Sequence, residues 1–131
     1  MTPLFTMVTY DHFQDVPRKV WPCQFFSPVE IACKGTGEIL VNVDALRAFD
    51  ELRSMLDKPF SPNSAYRSAY HNAAVGGAPF SRHRTGDAFD IPLSVGSKEE
   101  IERLARLVGF KGFGMRYNTF VHIDMGRRRQ W

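Results

Sequence analysis

The stretch SRHRTGDAFDIP, Ser81 to Pro92, sets His83 and Asp90 seven positions apart with Gly86 between them. Imidazole and carboxylate are side chains that hold zinc, and a catalytic zinc site uses three protein ligands while keeping a fourth position open for water. Gly86 lets the chain turn between the two residues. Ala88 keeps the inner face of the following strand small, and Asp90, two residues on, shares that face. A third candidate is His122 in FVHIDMG, on a strand of apolar neighbours, where period-two alternation puts Asp124 on the same face. A histidine and an aspartate on one core face are costly unless both are partnered. A metal ion would partner them.

The elements that must position these residues are legible from caps and periodicity. SPVEIAC offers Ser27 as N-cap, Pro28 at the first helical position and Glu30 at N3, a capping box that starts a short helix ending before Gly35. In NVDALRAFDELRSMLD the apolar residues Ala45, Leu46, Phe49, Leu52, Met55 and Leu56 recur at helical spacing, with Asn42 as cap. FSPNSAYRS reads as a strand weakened by Pro62, and SAYHNAAV as a short helix capped by Ser68 and ended by Gly76–Gly77. SKEEIERLARLVG is the clearest helix: Ser97 and Glu100 form its capping box, Ile101, Leu104, Ala105 and Val108 its apolar stripe, and Gly109 its stop. FKGFGMRYNTFVHIDMG reads as a β-hairpin turning near Tyr117–Asn118. KGTGE lacks phosphate-loop spacing, which leaves Gly35 and Gly37 as turn glycines. The expected fold is α+β, a small antiparallel sheet flanked by short helices.

The chain of 131 residues is sized for one domain over 1–131, with residues 1–25 an irregular N-terminal segment broken by Pro3, Pro17 and Pro22. Hydrophobic residues at 44% and charged residues at 24% are ordinary for a chain that buries a core. No apolar run approaches the roughly 18–20 residues that span a bilayer, so no membrane association is expected. MTPLFTMVTYDHF lacks a basic n-region and a long apolar h-region, so no cleaved leader is expected either. The net charge of +3 is mild and gathers in GRRRQW, which reads as a solvated end; no reader motif accompanies it, and no nucleic-acid partner is expected. Cys23 and Cys33 form no disulfide framework or CxxC pair and read as buried free thiols.

Taken together, SAYRS, HN, VGG, SRHRTGDAFD and VHID resemble the zinc D-Ala-D-Ala carboxypeptidases and their phage endolysin relatives, a group that extends to lysostaphin-type endopeptidases and the hedgehog signalling domain. The resemblance runs from about Phe26 to Trp131. It implies a hedgehog/D-Ala-D-Ala-peptidase-like fold, Zn2+ as cofactor, and His83, Asp90 and His122 as its ligands. It implies that Arg67 of AYRS holds substrate and supports a developing oxyanion, a task suited to a planar, permanently charged guanidinium. Ser81 would orient the loop or touch substrate, while Asn72 and Gly76–Gly77 shape the turn behind the site.

The chain departs from the family pattern at the base. Many relatives carry a glutamate three residues before the last histidine ligand, as E-x-W-H, or use H-x-H; here Thr119 and Phe120 occupy that region. Asp124 is the nearest carboxylate and is nominated as base or as the group orienting His122, with Asp87 a weaker candidate. Aligned against H-x-H, Asp124 could itself be the third ligand; His122 is preferred because imidazole holds zinc better and leaves Asp124 to support it. The expected activity is zinc-dependent cleavage of peptidoglycan stem peptides by a monomer made in the cytoplasm, of phage or prophage lysin type, released by a holin or carried on a virion. The alternative is a zinc-stabilised module that binds cell wall or protein without cutting.

Overall fold

The computed structural model describes residues 7–131; the extended reading of the first six, Pro3 included, lies outside them. Inside the segment expected to be irregular, β1 (Met7–Tyr10) pairs antiparallel with β2 (Ile39–Asn42), and two short 3-10 turns follow β1. Phe26, the first residue after this segment, is buried and stacks on Phe49 with ring centroids 4.5 Å apart. The Trp21 indole N–H donates to the Phe26 carbonyl at 2.7 Å, whereas Phe25 stays exposed beneath the Arg53 guanidinium. The N-terminal aromatics therefore divide between core and surface.

The capping signals place the helices. α1 (Pro28–Ile31) starts at Ser27, whose N–H donates to Glu30 Oε1 at 2.9 Å. α2 (Val43–Leu56) is capped by Asn42, which accepts the Ala45 N–H, and buries Ala45, Leu46, Phe49, Leu52 and Leu56. α3 (Ala69–Ala74) is capped by Ser68. α4 (Lys98–Leu107) is capped by Ser97, which accepts the Glu100 N–H, and buries Ile101, Leu104 and Ala105. It runs out at Gly109, whose φ of 112° is a conformation that side chains with a Cβ rarely take.

The second sheet positions the site. β3 (Ala88–Pro92), β4 (Gly112–Gly114), β5 (Phe120–Asp124) and β6 (Arg129–Gln130) lie in the order β3-β5-β4-β6; the first three pair antiparallel, and β6 runs parallel along β4. β4 and β5 are the expected hairpin. Alternation separates the faces of β3 and β5: Phe89, Ile91, Val121 and Ile123 point into the core against α2 and α4, and Asp90, His122 and Asp124 point away from it. Phe49 bridges the layers, stacking on Phe89 at 3.9 Å as well as on Phe26. This is the α+β architecture of small sheets and short helices expected from the sequence.

Phe60–Ser68 does not form the expected strand. It makes one isolated bridge, Ser64 to Asp90, because its backbone groups go to different elements: Tyr66 N–H to Ile31, Arg67 N–H to His83, Asn63 N–H to Asp90. With Pro62 unable to donate, no continuous ladder can form. Cys33 is buried as expected, but Cys23 is only half-buried, and desolvation still pushes its thiol up.

Because Phe49 is fully buried between two stacked rings, Phe49→Ala is expected to cost about 3–5 kcal/mol, read as a lowered midpoint in urea denaturation; an unchanged midpoint would show that the layers do not depend on this contact.

Candidate metal centre

The β3–β5 register sets Asp90 directly opposite His122 and Ala88 opposite Asp124. His83 arrives from a 3-10 turn, Arg82–Thr85, which closes at Gly86 with φ of 74° and leads into β3. Ser81 caps this turn, accepting the His83 N–H at 3.2 Å. The result is that His83, Asp90 and His122, all buried, each bring one donor atom within 4.8 Å of the others.

The protonation of the two rings follows from their outer partners. His83 Nδ1 lies 2.7 Å from the Ala65 carbonyl, which can only accept, so Nδ1 carries the hydrogen and Nε2 turns toward Asp90 Oδ1 at 3.2 Å. His122 Nε2 lies 2.8 Å from Asp124 Oδ2 and Nδ1 lies 3.1 Å from the same Asp90 Oδ1. With each outer nitrogen donating, the neutral rings direct two lone pairs at one carboxylate oxygen. Three acceptors converging out of water repel one another unless a cation lies among them, either protons or a metal ion. The donor set, two imidazoles and one carboxylate with the outer ring nitrogens anchored, fits zinc.

The charges respond accordingly. Burial opposes the Asp90 charge, but where protons rather than a metal lie between the groups, hydrogen bonds from His122 and His83 outweigh it and hold the carboxyl down to about 2. Burial also opposes a His122 imidazolium, yet Asp124 and Asp90 on its two nitrogens raise its pKa above the ordinary histidine value. Asp124 is held well below the usual carboxylate range despite burial, because His122, Arg129 and the Gly126 N–H all bind its oxygens.

The centre lies in a cleft of about 640 Å³. Arg67 flanks the His83–Asp90–His122 cluster: its Nε donates to Ser64 Oγ at 3.1 Å, Nη1 to Asn72 Oδ1 at 3.3 Å, and Nη2 stands 3.8 Å from Asp90 Oδ2. Ser81, Phe80, Arg116, Tyr117, Phe120 and Trp131 line the rest of the mouth. A second hollow of about 500 Å³, around Trp21 and Phe25, contains no histidine and lies apart from this chemistry.

All six residues singled out from the sequence are here, though not equivalently. His83, Asp90 and His122 converge; Arg67 and Ser81 line the cleft; Asp124 stands behind His122 with no exposed surface. Asp87, the weaker candidate, is committed to Arg82 and to Thr85 Oγ1. Sequence reasoning missed the Ala65 carbonyl, since a backbone acceptor leaves no trace in residue type. It also missed Arg129 and Trp131. GRRRQW, read as a solvated end, is so at Arg127, Arg128 and Gln130; Arg129 is drawn into the site by Asp124.

The family model described as Peptidase M15 matches residues 24–124, more than half of the chain. Comparison with curated proteins gives no match.

Removing the Asp124 carboxylate strands the Arg129 guanidinium and the His122 Nε2–H together. Asp124→Ala is therefore expected to destabilise the chelator-treated protein by about 3 kcal/mol, the lower end for a broken buried pair because Arg129 is 26% exposed. Denaturant unfolding measures this, and an unshifted midpoint would show the pair to be energetically idle.

Proposed function

The chain belongs to the peptidase M15 family, zinc peptidases of the D-Ala-D-Ala carboxypeptidase type, and from that premise we propose that it cleaves peptide bonds in peptidoglycan stem peptides using one zinc ion held by His83, Asp90 and His122. The observation that carries this reading is the convergence of three acceptor atoms, anchored from behind, on the floor of an open cleft. Zinc bound there supplies Lewis-acid polarisation of the scissile carbonyl and brings water toward a pKa of about 7.

The chain's own groups do the remaining work. Arg67 has two of its five N–H donors committed, to Ser64 and Asn72, and its Nη2 is at 3.8 Å from Asp90, longer than a hydrogen bond. Its free donors suit a substrate carboxylate or the oxyanion that forms as the carbonyl is attacked. Tyr117, Phe120 and Trp131 form an aromatic wall that shields the reacting bond from bulk water, and Phe80 stands at the mouth. Ser81 keeps the His83 turn in register. Of the two roles open to Asp124, orienting His122 is the one its surroundings support: both oxygens are engaged and neither faces the cleft. The peptide substrate is met by a monomer.

One observation favours a second reading. Asp90 is the only carboxylate lining the cleft among the described residues, and it belongs to the ion, so no acidic side chain is in place to take a proton from water. A zinc-stabilised domain that binds cell wall without cutting it would have such a site.

Digestion decides between them. Purified protein with zinc is incubated with sacculi and with synthetic stem peptides, and products are read by mass spectrometry. The peptidase reading expects fragments that vanish on chelation and in His122→Ala, with Arg67→Ala lowering the rate roughly a hundred- to a thousand-fold. Wall binding with no product at any zinc level would establish the binding module instead.

A further inference from the structure

The last residues of the chain are built against the metal centre. Arg129 and Gln130 run beside β4, and the Trp131 N–H donates to the Phe113 carbonyl at 3.0 Å. From this strand, Arg129 Nη1 reaches Asp124 Oδ1 at 2.9 Å and Nη2 reaches Oδ2 at 2.7 Å, a two-pronged pair. Asp124 Oδ2 in turn accepts the His122 Nε2–H. The Trp131 ring lies 5.2 Å from the His122 ring, and its Nε1–H donates to Tyr117 Oη at 3.1 Å. The Arg129 guanidinium carbon sits 4.8 Å from the Trp131 ring, which ties the two together.

Room for this arrangement comes from β4. Gly112 is opposite Asp124 in register, and a Cβ there would overlap both Asp124 Oδ1 and Arg129 Nη1. Gly114 is opposite His122, and a Cβ there would come to 3.0 Å from Trp131 Cε2. Both glycines keep the strand bare where the tail crosses it. Arg129 and Trp131 lie beyond residues 24–124, outside the part of the chain that matches the family.

We infer that Arg129 is a positioning residue for the metal centre: by clamping both oxygens of Asp124 it holds the His122 ring so that Nδ1 faces His83 and Asp90, with Trp131 packed against that ring. This rests on the reading of His122 as a ligand. The physical reason lies in the fork. A carboxylate can pivot about its bond to a single donor, but a planar guanidinium bound through two parallel N–H groups fixes its plane. Asp124 is wholly buried, so its orientation is set by these protein partners rather than by solvent. A lysine would supply the charge without the fork.

The test uses the full chain with zinc and cobalt(II) as probes, in Arg129→Met, Arg129→Lys and His122→Ala. Zinc affinity is measured by competition with a chromophoric chelator, ligand geometry by the visible bands of the cobalt(II) protein, and folding by thermal melting of the metal-free form. Arg129→Met is expected to weaken zinc binding roughly 10- to 100-fold, the usual cost of losing a supporting partner, and to alter the cobalt bands. Arg129→Lys is expected to fall between Met and wild type. Wild-type affinity and unchanged bands in both variants, with zinc lost from His122→Ala, overturn the positioning role while leaving the ligand assignment standing. If Arg129→Met fails to fold, Arg129→Lys decides by the same criterion. A wild-type protein that binds no zinc, or a His122→Ala variant that binds it as tightly, overturns the ligand assignment and the positioning role with it.

Discussion

Three acceptor atoms, His83 Nε2, Asp90 Oδ1 and His122 Nδ1, face one another on the floor of the cleft, and much of the surrounding structure serves to keep them there. Left alone, such a group relaxes by turning its rings away. It is prevented from doing so because each ring is held on its far side, His83 by the Ala65 carbonyl and His122 by Asp124. A cation at the point of convergence would resolve the tension. A divalent ion of the kind the family uses serves this better than protons, since it is shared among all three donors at once.

The sheet makes the convergence possible by keeping chemistry and packing on opposite sides of two strands. Each of β3 and β5 is five residues long and contributes polar groups to one face and fully buried apolar groups to the other. A one-residue slip of β5 would send His122 and Asp124 into the aromatic core and Val121 and Ile123 into the cleft, so the register is fixed twice over, once by burial and once by the site. The Phe26–Phe49–Phe89 stack anchors the apolar side, and its last ring belongs to β3, next to Asp90. A loss of packing there would be felt one residue away at Asp90.

How much of this the sequence declared depends on the range of the interaction. Caps and turns are local, so Ser27, Asn42, Ser68 and Ser97 announced their helices, and Gly109 and the Gly76–Gly77 pair announced two ends. Strand alternation is also local, which is why His122 and Asp124 could be assigned to one face before any partner was known. The failures are of longer range. Phe60–Ser68 has residues suited to a strand, but its hydrogen bonds scatter over three elements, and nothing within nine residues reveals that. Arg129 carries no signal at all: it lies between Arg128, which is exposed, and Gln130, and differs from its neighbour only in reaching Asp124 from a strand two residues long, across Gly112 of β4. Burial of Asp124 was equally hidden, and with it the distinction between a base and a brace.

That distinction is worth following, because the site contains two aspartates and two arginines whose duties are divided by geometry rather than by chemistry. Asp90 presents Oδ1 to both histidines and leaves Oδ2 toward Arg67 at 3.8 Å; Asp124 has both oxygens bound by its neighbours. A group that exchanges protons with substrate needs a lone pair within about 2.6–3.2 Å of it, and Asp124 has none to offer. The arginines mirror this. Arg129 gives Nη1 and Nη2 to Asp124 and is saturated along its fork, while Arg67 is steadied by Ser64 and Asn72 from the side and keeps donors free at the cleft. One Asp–Arg pair is therefore closed and rigid behind His122, and the other is open and unsatisfied in front of it. The proposed peptidase, gripping an ion firmly and a substrate transiently, would need one of each.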